Sequence, residues 1–249
     1  MKRLAILIAT QAVSAAACFC QTGIPLADVS APGSPVRISG RVQLRISATT
    51  PIWYTYVRDA SVKNVSSKDI LLTIIRVVAY GSDAPGLDVT VDNDRFFDSN
   101  DLKSGGTEEM DRTPIRFGAP VTRGKALDES GANPNPSATD ELIFVQFSDG
   151  STWGDRKTGG QKLLVRTKTL RELKELGQVL DDKGEPGLKE ELSHIELYQF
   201  PAIESLVYGC KSRTDPCLTN GVRGMLKEAE RHEAEMKAIS KPTELAPER

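Results

Sequence analysis

The sequence predicts an α+β chain, with an antiparallel β-sandwich first and an α-helical segment after it. Three observations carry this expectation. In "VRISGRVQLRIS" apolar residues Val36, Ile38, Val42, Leu44 and Ile46 alternate with polar ones, the period-two mark of a strand with one buried face. Short β-rich runs separated by turn-forming clusters continue as far as Asp155. After Gly159-Gly160 the apolar spacing changes to steps of three and four, the period of a helix.

The first element is a leader. "MKRLAILIATQAVSAAACFCQTG" sets Lys2 and Arg3 before an apolar run and small residues, the pattern of an export signal over residues 1–20. That run is shorter than the roughly 20 apolar residues a membrane helix needs, and no later segment approaches that length. "AAAC" loosely resembles a lipobox, although Ala15 stands where its usual leucine would be, so Cys18 is a candidate for lipidation. Residues 21–35 are rich in small residues, Pro and Gly, and read as a linker or a leading extended arm. The expected location is therefore exported: periplasmic, envelope-associated or secreted.

The sandwich is expected over residues 36–158. In its first strand the arginines Arg37, Arg41 and Arg45 share the wet face, either as an anion-contact ladder or as a solvated face that discourages edge pairing. Runs from about Ile52 to Lys63 and Ile70 to Tyr80 flank "NVSSKD". The second run is apolar on both faces and so must be covered on both, by strands on one side and by the C-terminal helices on the other. Asn64-Val65-Ser66 fits the N-glycosylation pattern, and a turn asparagine explains it equally well. Further strands are expected near Leu87–Val91, Thr107–Phe117 and Glu141–Phe147, the last two separated by a polar loop, "GKALDESGANPNPSATD". In "FVQFSDGSTWGD", Asp149-Gly150 signals a two-residue hairpin returning Ser151–Trp153 along Leu142–Phe147. Six or seven such strands read as an immunoglobulin-like sandwich.

Residues 159–240 read as a helical region with a disulfide loop, and 241–249 as a flexible tail. Leu163, Leu170, Leu173, Leu176 and Leu180 stripe a first helix, which "DDKGEPG" ends; Leu188, Leu192, Ile195 and Tyr198 mark a second that stops by Pro201. Val222, Met225, Leu226, Ala229, Met236 and Ile239 stripe the last helix. These helices either form a second domain or pack on the sandwich. Cys210 and Cys217, in "CKSRTDPC", are an isolated pair in an exported chain and are expected to form a disulfide, worth about 2.5 kcal/mol for so short a loop.

Charge and motifs limit the chemistry. The chain carries 32 Lys and Arg against 34 Asp and Glu, a balance that calls for neither nucleic acid nor an anionic membrane as partner. No nucleophile elbow, phosphate loop or dinucleotide fingerprint is present, and no catalytic residue or cofactor is assigned. The histidines, His194 and His232, each follow a glutamate by four residues and read as solvated helix residues. Asp92, Asp94, Asp98 and Asp101 crowd one stretch and are weak calcium candidates; hydrated loop carboxylates are the favoured alternative.

The segments "VKNVSSKDILLTIIRVVAYG", "DRFFDSNDLKSGGTEE" and "ELIFVQFSDGSTWGD" resemble those of exported bacterial proteins with an immunoglobulin-like domain, over about a third of the chain. The resemblance implies a fold and a compartment and carries no activity with it. The expected role is a non-enzymatic binding or assembly module whose partner is a protein or glycan of the cell envelope. The alternatives are a carboxylate-dependent glycan hydrolase using Asp94 and Asp98, and a calcium-dependent adhesion module.

Overall fold

A computed structural model describes residues 24–46, 54–80, 87–110, 115–117, 137–211 and 216–239. The expected leader with Cys18 and the tail at 241–249 lie outside the described residues. Nine strands come first: β1 (Ile24–Asp28), β2 (Val36–Ile46), β3 (Tyr54–Asn64), β4 (Ile70–Tyr80), β5 (Leu87–Asp94), β6 (Thr107–Met110), β7 (Ile115–Phe117), β8 (Ser137–Phe147) and β9 (Thr152–Gly154). Helices α1 (Arg156–His194), α2 (Pro201–Cys210) and α3 (Cys217–Ile239) follow. The α+β class and the order of its halves are as the sequence predicts.

The strands form one hydrogen-bonded path in the order β5-β4-β8-β1-β2-β3-β6, with β7 also on β3 and β9 also on β8. β1 joins its two halves. Ile24 and Pro25 pair antiparallel with β2, and Leu26 to Asp28 pair parallel with β8. The segment expected as linker or extended arm thus contains a structural strand. The sheet curls until Asn93, on β5, donates to Glu108, on β6, at 2.9 Å. Two stacked immunoglobulin-like sheets are not shown by this pairing; the continuous path through β1 is the reason.

β4 is covered on both faces, as its sequence requires. Ile70, Ile75 and Val77 pack with Val36, Ile38 and Val62 inside the curl, and with Leu142, Val145 and Phe147 of β8. Leu72 and Ile74 turn the other way, with Phe144, toward Leu163 of α1. The approach is close because Gly159 has no side chain: a Cβ there would lie 2.2 Å from the Phe144 ring. Asp155 starts α1 by accepting from the Lys157 and Thr158 amides. The stretch "DDKGEPG" breaks it at Gly184 (φ 67°, ψ −168°), a backbone region that only glycine enters readily.

The helices share one apolar cluster with the sheet side. Leu173, Leu176, Leu180, Leu188, Leu192, Ile203, Val222 and Ala229 pack together with Leu71, Phe96 and Phe97. Cys210 and Cys217 form the expected bridge between α2 and α3, with Cα atoms 5.6 Å apart. Among the described residues no helix is long and apolar enough to cross a membrane.

Candidate functional site: a buried charge cluster where the sheet meets the helices

The site begins with the segment that leaves β5. Its backbone is tied to the start of β4: Arg95 N donates to Leu71 O at 2.8 Å, and Ile70 and Leu102 exchange hydrogen bonds at 3.0 and 3.1 Å. Asp94 caps the turn by accepting from the Phe96 amide at 3.1 Å, and Asp98 does the same for Asn100 at 2.7 Å. With the backbone fixed, Phe96 and Phe97 insert into the helical core edge to face, ring centroids 5.2 Å apart. Arg166 of α1 lays its guanidinium 4.6 Å over the Phe96 ring.

Below Phe96 lies His232 of α3, fully buried. Its Nδ1 is 2.9 Å from the Phe96 carbonyl oxygen, and its Nε2 is 2.9 Å from Asp101 Oδ1. Asp101 is itself buried and also receives Lys103 Nζ at 3.2 Å and Arg231 at 3.4 Å. Burial alone would raise the Asp101 carboxyl above the usual carboxylate range. The hydrogen bonds from Arg231, His232 and Lys103 outweigh it and hold the group below that range. Burial acts against the charged Arg231 too, yet its hydrogen bonds with Glu228, Asp101 and Glu235 raise it further. Lys103 is raised chiefly by its hydrogen bond to Asp69, which overcomes partial burial, with Asp101 adding to it.

Three potential metal donors meet here, since ligand atoms of Asp101, His232 and Glu235 lie within 4.8 Å of one another. The arrangement does not suit a metal ion. Arg231 Nη1 already reaches both Asp101 Oδ2 (3.4 Å) and Glu235 Oε1 (3.0 Å), so a guanidinium stands where the cation would go. Two like charges that close repel, the more so beside the buried Asp101 and His232.

The aspartates expected in a calcium-binding or hydrated loop are used differently. Asp92 pairs with Lys162 at 2.5 Å, Asp94 takes a two-pronged grip from Arg166, Asp98 caps its own turn, and Asp101 faces His232. Lysine and arginine side chains from the helices hold three of the four, which therefore do not share a ligand set. A hydrolytic pair of Asp94 and Asp98 meets the same objection, because Asp94 is committed to Arg166. Arg166 also donates to Gln146 of β8, tying α1 to both β5 and β8.

Arg37 and Arg41 are exposed on the wet side of β2, as the alternation predicts, opposite Lys63 and Asp59 in register. Arg45 occupies the same parity, opposite Thr55. This face is separate from the buried cluster. Asn64, in the glycosylation-like tripeptide, is fully buried and donates through Nδ2 to Lys68 O at 2.8 Å and Leu102 O at 3.0 Å. The turn role is the one its geometry serves. The "SDG" hairpin is also structural: Gly150 (φ 80°) donates to Phe147 O at 3.0 Å, and Asp149 accepts from Ser151 and pairs with Lys68. Its loop is longer than the expected two residues, because Phe147 pairs with Ser151 across Ser148, Asp149 and Gly150.

No family model, curated protein or solved structure matches this chain.

His232 is the residue that sequence reasoning placed wrongly, as a solvated helix histidine. The signal was present: the stripe of α3 runs from Ala229 to Met236 with a gap of seven, and His232 falls in it at a step of three. His194, at the end of α1, is exposed as expected.

Proposed function

We propose that this chain is an exported, non-enzymatic binding or assembly module of the cell envelope or extracellular space, with a protein or glycan partner. One observation carries the reading: among the described residues, the buried or half-buried groups His232, Asp101 and Asp94 are spent on holding the molecule together. Each is taken by a carbonyl or a cation that fixes the sheet to the helices. The exposed Arg37 and Arg41 of β2 supply a charged face for contact with an acidic partner. An immunoglobulin-like relationship and a lipid anchor at Cys18 belong to the same proposal. Support for the former is the run of antiparallel pairs β2–β3, β4–β5 and β8–β9 ahead of the helices.

The test is affinity capture from the native envelope with the mature protein, read beside mass spectrometry of its own N-terminus. A captured protein or glycan that is lost with the Arg37→Glu, Arg41→Glu double variant is the expected result. Hydrolysis of a glycan by the purified protein, abolished in Asp94→Asn, would overturn the proposal. A melting temperature raised by millimolar calcium would replace it with the adhesion alternative.

A further inference from the structure

The Nε2 atom of His232 has two neighbours that make opposite demands on it. Asp101 Oδ1, at 2.9 Å, can only accept and calls for an N–H. Arg231 Nη2, at 2.7 Å, can only donate and calls for a lone pair. Nδ1 has no such conflict, because the Phe96 carbonyl accepts its N–H in either case. The ring is thus pinned at one nitrogen and contested at the other.

We propose that His232 is a proton-controlled switch that exchanges Arg231 for Asp101 at the joint between α3 and the loop after β5. In the neutral state Nδ1–H donates to Phe96 O, and Nε2 accepts from Arg231 Nη2. Adding a proton at Nε2 turns that atom into a donor to Asp101 Oδ1 and expels the Arg231 N–H facing it. Arg231 has somewhere to go. Its Nε already donates to Glu228 at 2.8 Å and its Nη1 to Glu235 at 3.0 Å, and its side chain is 35% exposed. The guanidinium can therefore rotate outward and keep Glu228 and Glu235, giving up only its 3.4 Å contacts with Asp101.

The surroundings bound this exchange. On α3 the charged neighbours are Glu228, Arg231 and Glu235. From the loop come Asp101 and Lys103, the latter also held at 2.9 Å by Asp69 at the edge of β4. From α1 comes Arg166, over the Phe96 ring and paired with Asp94. Lys103 and Arg166 keep their own carboxylates in both states, so Arg231 is the one cation that moves. The affected joint includes Phe96 and Phe97, so proton uptake at one buried ring would be felt where the sheet meets the helical core.

The experiment is a pH titration of the full chain by NMR, following the two ring nitrogens of each histidine through their couplings to the ring protons, with the Arg231 side-chain nitrogens. The range is about pH 5 to 8, where histidines change charge. Exposed His194 is the internal control. At the high end His232 is expected as the Nδ1–H tautomer. At the low end it is expected as imidazolium, with the Arg231 resonances shifting at the same midpoint. Arg231→Gln should raise that midpoint by removing a cation, and Asp101→Asn should lower it. An Nε2–H tautomer at high pH, an imidazolium throughout the range, or a midpoint unmoved in Arg231→Gln would each overturn the proposal. The wild-type tautomer decides the matter even where Asp101→Asn fails to fold.

Discussion

Arg166 grips Asp94 with two parallel hydrogen bonds, Nη2 to Oδ1 at 2.7 Å and Nε to Oδ2 at 3.0 Å. Planar guanidinium and planar carboxylate match edge to edge, which a lysine in that place would not reproduce. Because the third face of the guanidinium reaches Gln146, truncation strands partners on two strands at once. Arg166→Ala is expected to cost about 2–3 kcal/mol in chemical denaturation. Arg166→Lys should recover less than half of that. Equal stability of Lys and wild type would show that charge alone matters here.

Asn64 makes a different kind of tie, donating both amide hydrogens to carbonyls of Lys68 and Leu102 while Oδ1 accepts from Ser66. Asn64→Ala removes these bonds, leaving the Leu102 carbonyl only its bond from Ile70 N and the Lys68 carbonyl only its bond from Ser66 Oγ, and is expected to cost about 1–3 kcal/mol. The same geometry bears on modification. A glycan on Nδ2 would consume a hydrogen now donated in the interior, so the folded chain offered to an oligosaccharyl transferase should stay unmodified at Asn64. A mass shift at that site on folded protein would contradict this.

Asp101 links the cluster to pH. Its folded-state carboxyl is held below its ordinary value, with burial opposing the effect and the Arg231, His232 and Lys103 bonds overcoming it. The stabilisation it contributes is therefore fully present above the unfolded value, about 3.9, and is lost as pH falls through the lower folded value. Asp28, Asp88 and Asp149 are lowered as well and add to the same acid limb. Asp101→Asn should flatten the fall in melting temperature below about pH 4 relative to wild type. A limb of unchanged steepness would remove Asp101 from that account.

The bridge between Cys210 and Cys217 joins the end of α2 to the start of α3. The Cys210→Ser, Cys217→Ser double variant is expected to lose about 2.5 kcal/mol, the loop-entropy value for so short a ring. Reductant should lower the melting temperature of wild type to that of the double variant and leave the double variant unmoved.

The elements that the sequence announces are those whose pattern is local. β2 shows its alternation in a single run, and β4 shows by its two apolar faces that it must be covered twice, which the curl and α1 then do. Gly184 marks its break because glycine and proline act on the backbone directly. Pairing across long separations leaves no such trace. The parallel contact of Leu26 with Ala138, which joins the two halves of the sheet into one path, is made by residues with no shared local signal. The charge cluster was hidden for the same reason. Asp101 reads as one of several loop aspartates, and His232 as a polar interruption of a stripe, until the fold brings them within 2.9 Å.

Gly159 and Phe144 put the sheet–helix contact to its most direct test. A Cβ at Gly159 would stand 2.2 Å from the Phe144 ring, and Phe144 is 1% exposed with Leu72, Ile74 and Leu163 around it. Neither side has room to yield, so one added methyl must push α1 off the sheet or drive the ring from its rotamer. Gly159→Ala gains about 1 kcal/mol in helix propensity. Overpacking typically costs about 1–3 kcal/mol, and the overlap here is severe enough to place the loss near the upper end. The net expectation is destabilisation by about 1–2 kcal/mol, measured by denaturant unfolding. Replacing the ring as well, in the Gly159→Ala, Phe144→Leu double variant, should cost less than the sum of the single changes, because the smaller side chain vacates the space the methyl needs. Strict additivity would mean that the two residues do not touch, and that α1 meets β8 elsewhere.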